Sequence, residues 1–185
     1  DHADVDGHFL GTIICVNNTA NTTSESVLEV IDGQQRLTTI SLMLAAIHSL
    51  LQEHRADLSD DDAVDLVNLR RMLILREPVR ARLRPQTQND NAEDFLHVLA
   101  EAGLGVADPK PRWAGVRRVK KAYAHFRSRI TARAAETQSS IAATALDLLG
   151  RVKRANIVKL EVATHADAFT LFESLNNRGM PLSPV

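Results

Sequence analysis

The fold is decided at the stretch Val30-Ile31-Asp32-Gly33-Gln34-Gln35-Arg36-Leu37-Thr38-Thr39, which joins a short apolar run to a long one. Residues 27–31 predict a β-strand, and the Asp-Gly pair after them is a turn signal. From this turn to about Gln52 the sequence predicts a helix, and no residue between Arg36 and Glu53 carries a formal charge. A helix that is apolar on nearly every face belongs in a domain interior. The polar DGQQR group therefore lies where a strand enters a buried helix.

Two interpretations of this turn stay open on its residues alone. Asp32 is a natural N-cap, and Gln35 three positions later completes a capping-box pattern. Arg36 places a cation in the first helical turn, where the helix dipole disfavours positive charge. Unpaired amides, a glycine that permits close approach and an arginine together describe an anion site. The alternative is a capped helix whose arginine points to solvent or pairs with a carboxylate.

Composition places the chain among ordinary globular proteins. It has 185 residues, of which 44% are hydrophobic and 24% charged, and its formal net charge is −1. That length suits one domain, or one domain with a helical elaboration. A net charge near zero gives no sign of general nucleic-acid binding, although a local basic patch stays possible.

The single cysteine, Cys15, excludes an intrachain disulfide and favours a reducing, cytoplasmic setting. No apolar run is long enough to span a bilayer, because Thr, Ser and His interrupt the helix over 37–51. The chain begins with Asp rather than Met and ends at Val185 without an obvious terminus. We therefore expect it to be a piece of a longer protein.

The remaining elements follow from apolar periodicity and turn residues. Strands are predicted over 9–16 and 156–162, and the strands 9–16 and 27–31 suit a hairpin with a long loop. Further helices are predicted over 63–76, 92–102, 113–134, 138–149 (closed by Gly150) and 165–176. The last helix is expected to bury Phe169, Phe172 and Leu175. The sum is an α+β domain dominated by helices.

Two basic segments have two interpretations each. A short strand over 80–84 would place Arg80, Arg82 and Arg84 on one face, either to meet phosphates or as a solvated edge. The helix over 113–134 carries its cations away from its apolar side: Arg117, Arg118, Lys120, Lys121, Arg127, Arg129 and Arg133. A solvated face is the default interpretation of this helix, and a nucleic-acid surface is the alternative.

Common catalytic motifs are absent from the sequence. There is no GxxxxGK[ST] phosphate loop, no GxGxxG, no HExxH and no GxSxG. One cysteine excludes zinc pairs of the CxxC type. The predicted position of His48 on an apolar helix favours a hydrogen-bonded core histidine over a metal ligand. Carboxylates for a two-metal nuclease lie on separate elements, as Asp32, Glu161 and Glu173.

Two segments resemble the signatures of one family. Glu29-Val-Ile-Asp-Gly-Gln-Gln-Arg-Leu-Thr-Thr39 resembles the DGQQR signature of the DUF262 family, the N-terminal domains of GmrSD-type, modification-dependent restriction proteins. Ala168-Phe-Thr-Leu-Phe-Glu-Ser-Leu-Asn-Asn-Arg-Gly-Met-Pro-Leu-Ser183 resembles the family's F-E-x-L-N-x-R-G-x-x-L-S motif. Phe9-Leu-Gly and Leu83-Arg-Pro also fit. The resemblance covers nearly the whole chain, although the family's upstream Y-Q-R-x-Y-x-W pattern is missing.

This resemblance implies a fold similar to the ParB/sulfiredoxin group, with a small mixed sheet and a helical bundle. We accordingly expect three segments. Residues 1–54 would form the ParB-like sheet and the central DGQQR helix, and residues 55–155 a helical bundle insertion. Residues 156–185 would return as a strand and a helix that carries the FExLNxRG motif.

The resemblance also implies a nucleotide-binding, NTP-hydrolysing domain that gates a nuclease during restriction of modified DNA in phage defence. The nucleotide would be GTP, ATP or CTP, bound with Mg²⁺. The partners would be DNA and a C-terminal HNH-like nuclease domain (DUF1524) or subunit that this chain lacks, and no membrane is expected. The alternative is a non-catalytic DNA-binding or modification-sensing domain in which DGQQR is a structural helix cap.

The residues that match the two motifs form the expected site. Asp32 would hold Mg²⁺ or its water, or only cap the helix, and Gln34 or Gln35 would position a water. Arg36 would neutralise phosphate charge, and Arg178 would close the site from the second motif. The expected nucleotide-binding residues are Gly33, Arg36, Leu37, Thr38, Asn176, Arg178 and Gly179.

Overall fold

A computed structural model of the chain describes residues 8–18, 27–85, 91–112 and 117–176. Its elements in chain order are β1 (Phe9–Asn17), β2 (Leu28–Asp32), α1 (Gln34–Glu53), α2 (Asp60–Leu73), β3 (Ile74–Arg76), β4 (Val79–Ala81), α3 (Asn91–Glu101), α4 (Arg118–Glu136), α5 (Ile141–Arg154), β5 (Asn156–Val162) and α6 (His165–Asn176). The predicted α+β class, dominated by helices and with a small mixed sheet, is confirmed.

The chain divides into two compact units. One comprises residues 1–35 and 154–185, and the other comprises residues 36–153. The division falls in the first turn of α1, so most of that helix belongs to the helical unit. The expected division into segments 1–54, 55–155 and 156–185 differs from these two units because it places all of α1 with the sheet. That expected division of domains stays a prediction.

The first unit is built on a three-stranded sheet in the order β2-β1-β5. β1 and β2 are antiparallel, which confirms the expected hairpin pairing, and β5 is parallel to β1. Ile14 and Val16 on one face of β1 pack with Ala168 of α6 in a small buried core. A parallel pair requires a long crossover, and the whole helical unit provides it.

The second unit has its core around α1. Residues 44–51 are all buried, which confirms the expectation of a helix buried on nearly every face. His48 is 2% exposed, and its Nδ1 lies 2.8 Å from the carbonyl oxygen of Ala102. The neutral ring therefore donates its Nδ1–H to that oxygen, as expected of a core histidine. Burial lowers the pKa of His48, because the charged ring would lose its hydration.

The predicted helix over 63–76 is wrong at both ends. Ser59 accepts a hydrogen bond from the backbone N–H of Asp62, whose carboxylate accepts one from the Ser59 N–H, so α2 begins at Asp60. Its last residue is Leu73, and Ile74–Arg76 leave the helix to pair with Val79–Ala81. This two-stranded hairpin satisfies the backbone groups that a longer helix would have used.

The predicted boundaries around Gly150 are also wrong. Gly150 lies inside α5, which continues to Arg154. Ala145 and Leu149 before it are buried, and Val152 after it packs against the same core. Burial of this face outweighs the roughly 1 kcal/mol that a glycine costs within a helix. At the other end, the Ser140 hydroxyl accepts from the Ala143 N–H, which sets the helix start at Ile141 rather than at 138.

The predicted burial on α6 is wrong as well, although its bounds match 165–176. Phe169, Phe172 and Leu175 are 59%, 38% and 40% exposed. Ala168 is the buried residue of this helix, and Leu171 is partly buried in the same small core. A three-stranded sheet covers only one narrow stripe of the helix, and that stripe is the one with the small side chain.

One close contact determines how β2 enters α1. Gly33 alone separates the two elements, and its φ of +91° lies in the left-handed region that favours glycine. The side chain of Ile13 from β1 packs directly against it. A Cβ added to Gly33 would lie 2.5 Å from Ile13 Cγ2, closer than any real contact. Both the backbone angle and the packing therefore require glycine here.

The Gly33→Ala variant is expected to lose roughly 2–4 kcal/mol of unfolding free energy in urea titrations, from backbone strain and overpacking together. Gly103→Ala is the matched control, because Gly103 has a φ of +77° but nothing within 4 Å of an added Cβ. It isolates the cost of the backbone angle. An equal loss in the two variants would contradict a role for the Ile13 contact.

The unfolding free energy is expected to fall as the pH decreases below about 6.5, the ordinary pKa of a histidine side chain. The pKa of His48 is lower in the folded chain, so the unfolded chain binds more protons in this range. Urea titrations between pH 7.5 and 5.5 measure the slope, which one histidine limits to about 1.4 kcal/mol per pH unit. His48→Gln should flatten the slope, whereas the exposed control His125→Gln should keep it. A slope that survives in His48→Gln would contradict this assignment.

Candidate functional site

The DGQQR turn is the junction between β2 and α1. β2 ends at Asp32, and α1 begins at Gln34. Gly33 therefore occupies the N-cap position. Asp32 and Gln35 each lie one residue before the two positions, N-cap and third helical residue, that a capping box uses. The first turn of α1 contains no acidic residue, so no carboxylate of that turn competes for its amides.

The two glutamines of the motif have different surroundings. Gln34 is half-buried, and its Nε2 donates a hydrogen bond of 2.6 Å to the carbonyl oxygen of Val30. This bond ties the first residue of α1 back to β2. Gln35 is exposed. Of the two residues expected to position a water, Gln35 is therefore the one whose side chain faces solvent.

The next three residues lie along the first turns of the helix. Arg36, Leu37 and Thr38 are all half-buried, between the exposed side chains of Gln35 and Thr39. The cation of Arg36 is thus held near the positive end of the helix dipole and is partly shielded from water, where it favours a nearby anion. The first-turn amides and Arg36 together suit phosphate or carboxylate oxygens bound at the N-terminal end of α1.

The second motif is only partly described. Asn176 is the last residue of α6, and it is exposed. Arg178 and Gly179 lie outside the described residues. Their expected pairing with the DGQQR turn stays a prediction.

The expected metal ligand is Asp32, the last residue of β2. Within the described ranges, no group of three or more His, Cys, Asp or Glu side chains is arranged to hold a metal ion. Glu161, a second carboxylate that could serve a metal site, accepts hydrogen bonds from Asn17 and Lys159. The bond from Lys159 lowers the pKa of Glu161, with a smaller contribution from Asn17. Glu161 is thus engaged within the sheet.

A polar network at the other end of β2 was not foreseen. The Glu29 carboxylate accepts a hydrogen bond from Asn18 at 2.6 Å and lies 3.1 Å from Nε2 of His165. These contacts connect β2 with the loop after β1 and with the start of α6. Nothing in the local pattern around His165 indicates this partner, which lies more than a hundred residues earlier in the chain.

The cations predicted for α4 fall into two groups. Arg117 pairs with the buried Asp94 at 3.1 Å, and Lys120 pairs with Glu101. Arg127 forms a bidentate pair with Glu53 at 2.7 and 2.8 Å, which lowers the pKa of that carboxyl. These three hold the helices of the second unit together. The other four are exposed, namely Arg118, Lys121, Arg129 and Arg133.

The second basic segment keeps its predicted alternation in a shorter strand. β4 covers 79–81 rather than 80–84. Arg80, Arg82 and Arg84 are exposed, while Ala81 between them is buried. Arg82 has a structural partner, because its Nε donates to the carbonyl oxygen of Arg71 at 2.6 Å.

Comparison with known proteins identifies one family. A comparison with curated proteins finds no match. In the described part of the chain, no helix has the length and apolar character needed to cross a membrane. The sequence model of a family described as "GmrSD restriction endonuclease, N-terminal domain" matches residues 2–185, nearly the whole chain. The chain therefore belongs to the family of N-terminal domains of GmrSD restriction endonucleases.

Proposed function

We propose that this chain is the nucleotide-binding domain of a restriction system, and that its DGQQR turn receives the phosphates of a nucleoside triphosphate. Hydrolysis of that nucleotide gates a nuclease domain elsewhere in the full protein, which cleaves modified DNA in phage defence. The observation that supports this most is local. A helix begins at Gln34 with no acidic residue in its first turn and with the half-buried Arg36 in that turn.

Phosphate is the ligand that this helix start suits best. The first four N–H groups of a helix have no partner within it, and the dipole makes that end positive. Arg36 adds a full charge and up to two parallel hydrogen bonds to phosphate oxygens. Leu37 and Thr38 follow these four groups; their amides donate within the helix, so the two residues line the site rather than supply further backbone donors to it.

Each remaining motif residue has one role in this proposal. Gln35, the exposed glutamine, orients the attacking water, whereas Gln34 holds the turn through Val30. Asp32 is the candidate ligand for Mg²⁺, which arrives with the phosphates and needs only one or two protein carboxylates. Asn176, Arg178 and Gly179 contribute from the second motif.

A second candidate function is supported by two observations on the same turn. Gly33 is required by the approach of Ile13, and Gln34 is bonded to Val30. Two motif residues therefore have structural duties. In this alternative DGQQR is a structural joint, and the domain binds DNA or senses its modification without hydrolysing nucleotide.

Isothermal titration of the intact protein with GTP, ATP and CTP, and with their diphosphates, in the presence of Mg²⁺ separates the two candidates. Arg36→Ala is expected to weaken nucleotide binding about 10- to 100-fold, because one charge-assisted hydrogen bond contributes roughly 1.5–3 kcal/mol. The control Arg55→Ala removes an exposed arginine beyond the end of α1 and should bind as the wild type does. Absence of binding to every nucleotide, or an unchanged affinity in Arg36→Ala, would refute the phosphate site.

The two glutamines provide a matched pair for hydrolysis. Gln35→Ala is expected to reduce turnover roughly 10²-fold or more with little change in nucleotide affinity, as for loss of a water-positioning group. Gln34→Ala should instead lower the unfolding free energy by about 1 kcal/mol, since it removes the bond to Val30. Phosphate release and urea titration measure the two effects. The assigned roles are wrong if Gln35→Ala turns over nucleotide at the wild-type rate.

A further inference from the structure

From the exposed side of α4 we infer a contact surface for the phosphate backbone of DNA, separate from the DGQQR turn. The basic stripe of α4 consists of Arg118, Lys121, His125, Arg129 and Arg133, all exposed. The helix carries six Lys and Arg residues and one acidic residue, in a chain whose net charge is −1. The family assignment favours DNA as the polyanion, and this choice rests on the proposed role in restriction.

The stripe is straight and continuous. Its members follow at intervals of three, four, four and four residues, which places them within about a third of the helix circumference at 100° per residue. From Arg118 to Arg133 it runs about 22 Å along the helix axis. Duplex DNA presents one phosphate per roughly 1.7 Å, or about thirteen phosphates over that length. A row of cations on a rigid helix therefore meets several phosphates at once.

Helix stability alone does not account for the cations at the start of α4. Its first turn contains no acidic residue, although the dipole disfavours positive charge at that end. The charge of Lys120 in this turn is balanced by an ion pair with Glu101, and that of Arg117 just before the helix by an ion pair with Asp94. Within the described ranges, Arg118 and Lys121 form no ion pair. The positive charges of these two residues destabilise the start of the helix. Residues that reduce local stability in this way are expected at sites selected for binding.

The opposite face of α4 argues against a membrane as the occupant. A helix that binds a membrane surface inserts its apolar side into the lipid. The apolar residues of α4 are buried in the helical unit instead: Val119, Tyr123, Ile130 and Ala134. Between the cations lie the half-buried Ala122 and the exposed Ala132, and neither offers a large apolar side chain to anchor a protein partner. A purely electrostatic surface of this kind suits a phosphate backbone.

The salt dependence of DNA binding tests the assignment. Fluorescence anisotropy of the intact protein with a labelled 30-base-pair duplex gives the affinity from 50 to 300 mM NaCl. Each lost phosphate contact reduces the magnitude of the negative slope of log K against log[salt] by about 0.9. Arg118→Gln/Lys121→Gln/Arg129→Gln should therefore reduce that magnitude by about 2.7. At 100 mM NaCl the affinity should fall at least tenfold. The thermal midpoint of this variant should not fall, because positive charge in the first turn of α4 interacts unfavourably with the helix dipole and two such charges are removed.

The matched control removes the same charge elsewhere in the helical unit. Arg55→Gln/Arg71→Gln/Arg76→Gln changes three exposed arginines that lie outside α4 and outside the basic segment over 80–84. The slope of log K against log[salt] for this control should differ from the wild-type slope by less than about 0.9, the contribution of one phosphate contact. Equal losses in the two triple variants would show that binding follows net charge, and would overturn the assignment. So would wild-type binding in the α4 variant.

Two further measurements separate this inference from the proposed function. Nucleotide titrations of the α4 triple variant should match the wild type, because its substitutions lie outside the DGQQR turn. A protein that binds DNA through α4 but binds no nucleotide would refute the nucleotide proposal and support the DNA surface. Sedimentation with vesicles of equal parts phosphatidylserine and phosphatidylcholine tests the membrane. Binding to these vesicles without binding to DNA would overturn the inference.

Discussion

The approach of Ile13 to Gly33 is the contact on which the arrangement of the site depends. No side chain fits at Gly33, because a Cβ would lie 2.5 Å from Ile13 Cγ2, and the φ of +91° is strained for any residue with one. This contact lets a single residue turn β2 into α1. It therefore determines where the first amides of α1 point, and the bond from Gln34 to Val30 holds the same turn from the helix side.

Buried, bonded residues and solvent-facing residues lie side by side within the DGQQR motif. Gly33 and Gln34 are engaged by Ile13 and Val30, whereas the side chain of Gln35 faces solvent. The same contrast occurs in α4 and at Arg117 just before it, where three cations hold acids of neighbouring helices and four are exposed. In both places the residue type predicts a charged or polar site, and only the tertiary partners show which members are available to a ligand.

Much of the fold is readable from the sequence, because long apolar patterns report burial directly. The uncharged run from Leu37 to Gln52 predicts a buried helix, and the alternation over 156–162 predicts β5. Short elements are not readable in this way: Ile74 leaves the helix only because a partner strand exists at Ala81. Phe169 stays exposed because the small sheet reaches only the Ala168 stripe of α6. The candidate site was located by its motif, but the packing of Ile13 on Gly33 has no local signal.

The central claim is that the first turn of α1 binds nucleotide phosphates. The most direct measurement is a titration of the ¹⁵N-labelled intact protein with GTP, ATP or CTP and Mg²⁺, followed by amide chemical shifts. The account predicts that one nucleotide shifts the amides of residues 33–38 most strongly, and that inorganic phosphate at higher concentration shifts the same amides. Nucleotide-induced shifts confined to other parts of the chain, or no shifts with any of the three nucleotides, would contradict it.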